Sequence, residues 1–565
     1  MSSRKRAEAR DDARVVFLGG VGEVGRNMAC LELDGRTLII DCGLSFPHTE
    51  MPGIDLVLPD FQYLRSDPDR IQAIVLTHGH EDHIGAVPYL LREFGEFLSE
   101  PLPIFGTSFT LALLRNKLEE HKVSGYADLR VVEAGGAASS GPFEMRFLQV
   151  THSIPEGVAV AVDTPFGTVI HSGDFRLDQT PLDGKATDLQ GFASEAARGV
   201  HLFMSDSTNS EDVGYIPSER TVGPVLRDIV AKAQRLVVVA CFSSHIHRVQ
   251  QAIDAAREAG RVVAFLGRSM HQSTGAAREL EILDIDEKDV VMIEDVKKLD
   301  PRNVLIVSTG SQGEPLSALS LMAAHEHKWV KLVPEDTVVL SSSLIPGNEP
   351  AIHRVVDGLY RTGAEVYHMP SDPVHVSGHA ASDELQFMLN LVRPRWFIPI
   401  HGERRHLSQH ARLARDVGVP AERILVVEDG DTVDLGEDCR LGDRVPAGMT
   451  FVDGLGIGDV GEVVLRDRRK LSDDGIVVVT VAIDAHHGEL VSGPEIVNKG
   501  FVHAESSGEI LEEAAERVML ALEGTSADEV IDPGVLEQTI RKTLGKYFWE
   551  VTKRRPVIVP VIMEV

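Results

Sequence analysis

Apolar positions in the first part of the chain recur in the short runs that are typical of β-strands. Residues 14–18 are apolar, residues 28–33 alternate, and Asp34-Gly35 is a strong signal for a two-residue hairpin turn. Residues 73–76 predict a buried strand, and the apolar positions from 84 to 94 then recur at helical spacing. The polar segment between them is therefore predicted to lie on a strand-to-helix loop, where rigid flanks hold functional side chains.

The pattern changes twice further along the chain. Between residues 220 and 372, helix-like stretches alternate with apolar strands, which predicts a parallel, doubly wound sheet and a second domain. An apolar strand at 396–400 precedes His401, and residues 441–463 are rich in glycine and aspartate, as expected for a linker with short strands. Residues 464–565 contain strand and amphipathic-helix patterns that predict a small α/β domain.

Composition and charge restrict the class of protein. A chain of 565 residues with 43% hydrophobic and 25% charged residues is expected to form several globular units. No apolar run approaches the roughly 20 residues needed to cross a bilayer, and residues 1–13 are interpreted as a solvated tail because no apolar segment follows their basic residues. The four cysteines lack Cys-x-x-Cys spacing, which fits a reducing cytoplasm. A net charge of −30 counts against a passive RNA-coating protein, but much less against a metal-dependent nuclease.

A cluster of metal-ligand side chains follows the strand at 73–76. It consists of His78, His80, Asp82 and His83. Neutral imidazole and carboxylate are the ligands that Zn²⁺ and related transition metals select. Other predicted strand ends carry side chains of the same kinds, namely His152, Asp174 and His401. A polar loop of solvated histidines would not explain these additional strand-end ligands, so the sequence favours a metal site.

This pattern resembles the His-x-His-x-Asp-His loop and the later ligands of the metallo-β-lactamase fold, an αββα sandwich with a binuclear metal site. The resemblance implies that His78, His80 and His152 hold one ion. It also implies that Asp82, His83 and His401 hold a second ion and that Asp174 bridges both. Two such ions lower the pKa of a shared water and stabilise charge on a phosphate. Zn²⁺ is the expected metal, and the second site, which is richer in carboxylate, also suits Mn²⁺ or Mg²⁺.

The insertion at 220–372 resembles the β-CASP domain of metallo-β-lactamase nucleases, and the chain as a whole resembles bacterial ribonuclease J. The segments that carry this resemblance are 205–209 (SDSTN), 242–248 (FSSHIHR), 308–315 (STGSQGEP), 375–379 (HVSGH) and 399–403 (PIHGE). The resemblance implies an α/β protein in which a metallo-β-lactamase domain is split by a parallel-sheet β-CASP domain. The expected boundaries are 14–219 and 373–440 for the split domain, 220–372 for the insertion, 441–463 for the linker and 464–565 for a C-terminal oligomerisation domain.

The same resemblance implies roles for individual residues. His379 is expected to protonate the leaving 3′-oxygen, with Asp206 orienting it and Asp174 as the catalytic bridge between the metals. The residues expected to bind the 5′-monophosphate are His375, Val376, Ser377, Gly378 and His379. The residues expected to contact the RNA backbone are Ser243, Ser244, His247 and Arg248. Asp55 and Asp453 are expected to hold a third, structural divalent ion.

The implied activity is a metal-dependent ribonuclease that degrades RNA 5′ to 3′ from a 5′-monophosphate, with endonuclease activity as a second activity. It would act in the cytoplasm, in mRNA decay and in the maturation of rRNA and other RNA. The implied partners are single-stranded RNA, further copies of the chain in a homodimer or homotetramer, and proteins of an RNA-degradation complex. Two alternatives stay open: a DNA-directed β-CASP nuclease and a non-catalytic scaffold. The first stays open because no sequence motif indicates a contact to the 2′-hydroxyl of RNA.

Residues 20–25 match the G-x-G-x-x-G pattern of dinucleotide-binding proteins. Such a site requires a helix immediately afterwards, whereas residues 28–33 alternate as in a strand. The glycines are therefore interpreted as a turn at the rim of the active site. The basic residues 553–555 are interpreted as a solvated surface.

Overall fold

The computed structural model describes residues 13–48, 50–312, 314, 317–342, 348–484, 489–502, 507–523 and 533–565. The chain divides into a larger compact unit, Met1–Phe46 with Leu56–Thr450, and a smaller one, Pro47–Asp55 with Phe451–Val565. The tail predicted over residues 1–13 lies outside the described residues except for Ala13, and so do Gly313 and Pro315 of the segment 308–315. The predicted domain boundaries stay predictions.

An eight-stranded sheet forms one layer of the larger unit. In sheet order its strands are Arg440–Leu441, Thr432–Leu435, Ala13–Gly19, Met28–Leu33, Arg36–Ile40, Ile71–Val75, Leu102–Gly106 and Ala127–Val131. The last four of these strands run parallel to one another. The predicted hairpin turn is present, because Asp34 and Gly35 both have positive φ, 50° and 72°, and join two antiparallel strands.

A six-stranded sheet forms the second layer. In sheet order its strands are Trp396–Ile400, Val200–Asp206, Gly167–His171, Val158–Thr164, Phe143–Gln149 and Ala137–Ser140. The first three run parallel. Apolar side chains of both sheets, among them Phe17, Leu31, Phe147, Val160 and Ile398, form one continuous core. Because both faces of the second sheet are covered, all five residues from Val158 to Val162 are buried.

Helices cover the outer faces of this sandwich. On the second sheet these helices are Leu189–Arg198, Ser382–Val392 and Arg404–Asp416, whose apolar sides pack against Ile170, Phe203 and neighbouring residues. Helix Ser108–His121 packs on the parallel end of the first sheet. The remaining helices and 3₁₀ turns of this region are Gln62–Arg65, Pro68–Arg70, Glu81–Ile84, Val87–Phe94, Ser124–Tyr126 and Ala421–Arg423. The layers are therefore those of the predicted αββα sandwich.

The chain between Asp206 and Trp396 contains a separate sheet of five parallel strands. In sheet order these are Val262–Leu266, Val304–Ser308, Val237–Ala240, Thr337–Leu340 and Glu365–His368. The helices and 3₁₀ turns here are Glu219–Thr221, Val222–Lys232, Ile246–Glu258, Arg268–Glu279, Glu287–Asp289, Ile293–Lys298, Pro301–Asn303, Ala318–Ala323 and Glu349–Arg361. The predicted parallel α/β insertion is thus confirmed.

The smaller unit is built on a three-stranded sheet, with Ile476–Asp484 between Glu489–Lys499 and Val557–Glu564. Helices Ser507–Glu523 and Pro533–Thr552 bury their apolar sides against it. Helix Glu462–Asp474 and the short strands Met449–Asp453 and Gly456–Ile457 come earlier in the chain, and the strand Leu56–Pro59 belongs to the larger unit. Within the described residues, no helix has the length and apolar character of a membrane span.

Candidate metal centre and active site

The histidine cluster lies where the sequence predicts it, on the loop after strand Ile71–Val75. His78 follows the strand closely, and His80 is the N-cap residue of the short helix Glu81–Ile84, which carries Asp82 and His83. The extended backbone at His80 changes to helical backbone at Glu81, so the side chains before and after this point face different positions. Apart from Asp82 and His80, which are partly exposed, these side chains are buried.

The other candidate ligands come from the ends of neighbouring strands of the second sheet. Asp174 follows strand Gly167–His171, Asp206 ends strand Val200–Asp206, and His401 follows strand Trp396–Ile400. These three strands are parallel neighbours, so their carboxyl ends meet at one edge of the sheet. His152 follows the strand Phe143–Gln149. All seven predicted ligands therefore converge on this edge.

The first group of potential ligand atoms contains His78, His80, His152 and Asp174, and these atoms lie within 4.8 Å of one another. Nδ1 of His80 lies 3.0 Å from Nε2 of His78 and 3.2 Å from Nε2 of His152. Oδ2 of Asp174 is 3.7 Å from His78 Nε2 and 3.8 Å from His152 Nε2. Three imidazole nitrogens and one carboxylate oxygen thus surround one point.

The second group contains Asp82, His83, His401 and the same Asp174. Oδ2 of Asp174 lies 3.2 Å from His83 Nε2 and 3.6 Å from His401 Nε2. Oδ2 of Asp82 is 3.2 Å from His401 Nε2 and 3.6 Å from His83 Nε2. Because Asp174 belongs to both groups, one carboxylate is placed to connect two neighbouring ligand sets.

Burial and neighbouring charges shift the pKa values of these groups in different directions. Burial lowers the pKa of His80 to about 4 and the pKa values of His78 and His152 well below their ordinary value. At His401 burial also acts to lower the pKa, but the carboxylates of Asp174 and Asp82 outweigh it and raise the pKa to about 9. Burial acts to raise the pKa of Asp174, but the facing histidines lower it well below the usual range. The centre therefore offers ionised carboxylates and a set of neutral imidazoles.

The second ring nitrogen of each buried ligand histidine has its own partner. His83 Nδ1 donates to Asp41 Oδ2 at 2.7 Å, and His152 Nδ1 donates to the carbonyl oxygen of Gly378 at 2.8 Å. His78 Nδ1 and His401 Nδ1 lie at hydrogen-bond distance from the hydroxyls of Thr77 and Thr208. Partners of this kind fix the ring orientation in metal sites, so the donor set fits two divalent transition-metal ions.

Asp41 is a functional candidate that the sequence reasoning missed. It follows strand Arg36–Ile40 directly, is fully buried, and has a positive φ of 60°. Besides the His83 ring, its carboxylate accepts hydrogen bonds from the backbone N–H and the hydroxyl of Thr77, each at 2.8 Å. The only signal in the sequence was a carboxylate at the end of an apolar strand, which does not distinguish it from many others.

His379 and Asp206 lie beside the second ligand group. His379 Nδ1 donates to Asp206 Oδ2 at 2.8 Å, and Oδ1 of Asp206 accepts from the N–H and the hydroxyl of Thr208. Burial acts to lower the pKa of His379, but the Asp206 carboxylate outweighs it and raises the pKa above its ordinary value. Asp174, Asp206, His379 and His401 form a third group of converging ligand atoms. The predicted pairing of His379 with Asp206 is thus present.

The loop before His379 packs against the first ligand group. A Cβ atom at Gly378 would lie 2.7 Å from the His152 ring, so only glycine permits this approach. Ser377 Oγ accepts from the Asn209 side chain at 2.8 Å and from the backbone N–H of His379 at 3.2 Å. Val376 and Ser377 are half-buried, whereas His375 is buried, with a relative exposure of 7%. The side chain of Asn209, whose role the sequence did not predict, therefore orients Ser377.

The four residues expected to contact the RNA backbone differ in accessibility. Ser243 and Ser244 are half-buried, and His247 is half-buried with its ring 3.7 Å from Asp183. Arg248 is fully buried and forms a two-point ion pair with Glu219. A direct RNA contact by Arg248 was therefore a wrong expectation: its guanidinium is enclosed by protein and is already neutralised.

Asp55 and Asp453 meet in the smaller unit, but their carboxylates have other partners. Asp55 Oδ2 accepts from the backbone N–H of Gly454 at 2.8 Å, and Asp453 forms an ion pair with Arg468. Among the described residues, no group of three or more potential ligands includes either aspartate. The Arg468 guanidinium neutralises Asp453, and the expected third ion at Asp55 and Asp453 stays a prediction.

The glycine-rich segment 20–25 lies against the active site, as predicted. The backbone N–H of His401 donates to the carbonyl oxygen of Gly20 at 2.9 Å. The two-residue strand Val21–Gly22 pairs in parallel with Gly402–Glu403, immediately after His401. The segment therefore supports a metal-ligand loop instead of binding a dinucleotide.

The fold and the site define a metallo-β-lactamase-type hydrolase with an inserted β-CASP domain. Residues 21–200 match the metallo-beta-lactamase superfamily, and residues 371–424 match the Zn-dependent metallo-hydrolase RNA specificity domain. Residues 234–359 match the ribonuclease J beta-CASP domain, and residues 463–565 match the ribonuclease J C-terminal domain. The chain belongs to the ribonuclease J family.

Relatives along the full length agree with this assignment. The chain is 45% identical to ribonuclease J of Mycolicibacterium smegmatis, over 98% of this chain and 97% of the relative. It is 40% identical to ribonuclease J2 of Bacillus subtilis, over 98% and 99%, and 41% identical to ribonuclease J of Thermus thermophilus, over 98% and 96%. A crystal structure of a protein of unknown function from Enterococcus faecalis is similar in fold, with a TM-score of 0.52, 15% identity, and coverage of 75% of this chain and 100% of that one.

Proposed function

We propose that this chain is a metal-dependent ribonuclease that degrades RNA 5′ to 3′ from a 5′-monophosphate and also cleaves RNA internally. The main structural support for this proposal is that the two buried ligand groups share Asp174 and that the His379–Asp206 pair lies directly beside them. Membership of the ribonuclease J family supports RNA as the substrate. The proposed cellular roles are mRNA decay and the maturation of rRNA and other RNA.

The residues of the two groups fit two resident divalent ions. His78, His80 and His152 would hold one ion, Asp82, His83 and His401 the other, and Asp174 would bridge them. When bound, such ions activate a water and stabilise charge on a phosphate. Zn²⁺ suits the group of three imidazoles, and the second group, with its additional carboxylate, also suits Mn²⁺ or Mg²⁺.

His379 is the proposed general acid. Its Nδ1 proton is held by Asp206, so Nε2 is the nitrogen that can carry a second proton to the leaving 3′-oxygen. Asp206 is itself held in place by the N–H and the hydroxyl of Thr208. This chain of hydrogen bonds orients the imidazole before the substrate binds, which limits the reorganisation needed during the reaction.

The loop 375–379 is the proposed site for the 5′-monophosphate. The carbonyl oxygens of Ser377 and Gly378 accept hydrogen bonds from Arg176 and His152. Within the described part of the chain, the backbone N–H groups of Val376, Ser377 and Gly378 have no acceptor in the protein. Backbone N–H donors that have no protein acceptor suit a phosphate group, and the neighbouring Ser377 hydroxyl adds a further polar contact.

A further part of the proposal concerns location and assembly. The chain is proposed to act in the cytoplasm, as a homodimer or homotetramer formed through the C-terminal domain, and in contact with proteins of an RNA-degradation complex. The match of residues 463–565 to the ribonuclease J C-terminal domain supports this role for the smaller unit. Sedimentation of the purified chain at several concentrations tests it, and a strictly monomeric chain would contradict it.

Matched RNA and DNA oligomers with 5′-monophosphate, 5′-triphosphate or 5′-hydroxyl ends test the activity. Products are resolved over time on the intact chain supplied with Zn²⁺ or Mn²⁺. We expect mononucleotides to accumulate from the first time point with 5′-monophosphate RNA, and shorter oligomers to appear more slowly from the other RNAs. Preferred hydrolysis of DNA would indicate a DNA-directed nuclease, and the absence of any hydrolysis would indicate a scaffold.

A further inference from the structure

Two buried guanidinium groups donate hydrogen bonds to backbone carbonyl oxygens of the loop before His379. Arg248 Nη1 donates to the carbonyl oxygen of Val374 at 2.8 Å, and Arg176 Nη1 donates to the carbonyl oxygen of Ser377 at 2.9 Å. The Ser341 hydroxyl donates to the same Val374 oxygen at 2.7 Å. Arg248 and Arg176 are 0% and 3% exposed, so neither guanidinium can exchange its partners freely with water. The position of the loop therefore depends on how these two side chains are held.

Glu219 binds Arg248 directly and also lies near Arg176, whose closer carboxylate partner is Asp178, at 3.1 Å. Its two carboxylate oxygens accept from Arg248 Nε at 2.8 Å and from Arg248 Nη2 at 3.0 Å. Oε2 also lies 3.9 Å from Arg176 Nη2, and Oε1 accepts from the Gln251 side chain at 2.8 Å. Burial acts to raise the pKa of Glu219, but the Arg248 charge outweighs it and lowers the pKa well below its ordinary value. Glu219 is thus a buried, ionised partner of Arg248 that also contributes negative charge beside Arg176.

The groups that meet at Glu219 come from both domains of the larger unit. Arg176 and Asp178 follow strand Gly167–His171 of the sandwich, whereas Arg248 lies on helix Ile246–Glu258 of the insertion. Glu219 begins the 3₁₀ turn Glu219–Thr221, where the chain passes from the sandwich into the insertion, and its backbone N–H donates to Asp178 Oδ2 at 3.0 Å. A change in the placement of the insertion would therefore move the guanidiniums that hold the loop.

We propose that Glu219 is a positioning residue for recognition of the RNA 5′ end. It fixes Arg248 and, together with Asp178, helps to position Arg176. These guanidiniums bind the carbonyl oxygens of Val374 and Ser377, so the intervening N–H groups stay available for a terminal phosphate. This inference rests on the proposed function, in which the loop 375–379 binds the 5′-monophosphate. Glu219 does not touch the substrate or the metal ligands, so its removal acts on end selection and not on bond cleavage.

The test compares Glu219→Gln with the wild-type chain on two RNAs of one sequence, one with a 5′-monophosphate and one with a 5′-hydroxyl. Loss of the anion removes the charged partner of Arg248 and the weaker ion pair to Arg176, while the size of the side chain is kept. We expect the preference for the 5′-monophosphate to fall about tenfold, the size of one lost hydrogen bond to a charged group. The change is expected in KM, with kcat on the 5′-hydroxyl RNA and the bound metal content unchanged. Ser377→Ala provides the reference for direct loss of a phosphate contact.

Glu195→Gln is the matched control. Glu195 is also a buried glutamate that binds an arginine at two points, with Arg146 at 2.6 and 2.8 Å, but it lies on helix Leu189–Arg198 and has no bond to the loop. The Glu195→Gln substitution should lower Tm without changing the preference for a 5′-monophosphate end. If Glu219→Gln does not fold, Ser341→Ala, which removes one donor to Val374, should lower the preference in the same direction by a smaller factor.

The outcomes distinguish a failure of the proposed function from a failure of the positioning role of Glu219. A wild-type chain that does not distinguish the two RNAs overturns the proposed function, and the role of Glu219 with it. A wild-type preference that Glu219→Gln or Ser341→Ala keeps within a factor of about two overturns the positioning role alone, since that is within the effect expected of a surface substitution. An equal loss of preference in Glu195→Gln also overturns it, because the effect would then follow from lowered stability.

Discussion

Asp174 is the side chain on which the site converges. It belongs to all three groups of potential ligand atoms, is buried, and lies within 3.9 Å of His78, His83, His152, His379 and His401. A single buried carboxylate is thus shared by both ligand groups and also lies near the His379 ring. The sequence indicated Asp174 as a potential ligand at a predicted strand end, but its bridging role was implied only by the family resemblance.

Replacing Asp174 by alanine should abolish RNA hydrolysis. Removal of the shared carboxylate leaves each ligand group one oxygen short and places five histidines around an uncompensated cavity. We expect turnover to fall by about a hundredfold to a thousandfold or more, the order that follows the loss of one preorganised charge-stabilising group. Initial rates on 5′-monophosphate RNA measure this, with the exposed Asp228→Ala as a control. Near-full activity of Asp174→Ala would show that the shared-carboxylate arrangement is wrong.

Asp41 orients the His83 ring, so its replacement should weaken metal binding. Asparagine at this position keeps the shape but replaces one acceptor oxygen of the carboxylate, so the His83 ring loses its charged partner. We expect metal affinity or activity to fall about 10- to 100-fold, as is typical when the outer partner of a ligating histidine is lost. Competition with a chelator measures the affinity. Asp434→Asn, a half-exposed surface aspartate paired with Arg14, is the control, and equal affinities in the two variants would contradict the role of Asp41.

At the scale of elements, the site is a consequence of parallel strands. Strands Gly167–His171, Val200–Asp206 and Trp396–Ile400 are neighbours in one sheet, so residues far apart in sequence share one edge. The pattern of apolar runs predicted the strand at 396–400 and a strand end before Asp174, but not the strand Val200–Asp206, and it predicted the insertion correctly. Sheet order could not be read from that pattern, because strand pairing depends on contacts between residues hundreds of positions apart. Asp41 and Asn209 were missed for this reason, and Arg248 was misjudged because burial of a charge depends on a partner, Glu219, that periodicity does not reveal.

Gly43 illustrates how one element constrains another. The chain from Cys42 to Leu44 runs along the turn that carries Asp82 and His83, with Cys42 N donating to His83 O at 2.8 Å and Leu44 N donating to Glu81 O at 3.0 Å. A Cβ atom at Gly43 would lie 1.6 Å from the carbonyl oxygen of Asp82. Any side chain at this position must therefore push the metal-ligand turn away.

Gly43→Ala should consequently cost both stability and activity. We expect about 1–3 kcal/mol of destabilisation from the overlap. Displacement of the ligand turn by an ångström or so should lower the rate about 100-fold. Gly275→Ala is the control, since a Cβ atom there meets nothing within 4 Å and the position is helical. Thermal unfolding and RNA hydrolysis by both variants are the measurements, and an active, fully stable Gly43→Ala would contradict the described packing.

At the scale of the whole molecule, the chain is strongly acidic, with a net charge of −30, yet it belongs to a family of ribonucleases. RNA binding by this chain therefore cannot depend on a uniformly positive surface. In the proposed function, two bound divalent ions and the backbone N–H groups of the loop 375–379 would supply local positive potential at one edge of the sandwich. Local fields of this kind can bind phosphates in a chain whose overall charge is negative.

Titration of the metal-free chain with Zn²⁺ or Mn²⁺ tests whether hydrolysis requires two bound ions. The chain is stripped with a chelator, its fold is checked by circular dichroism, and hydrolysis of 5′-monophosphate RNA is measured after each addition. Because Asp174 is shared by both ligand groups, we expect little activity at one equivalent of metal per chain and a rise that levels off at two. Full activity at one equivalent, or hydrolysis by the folded metal-free chain, would contradict the two-metal account.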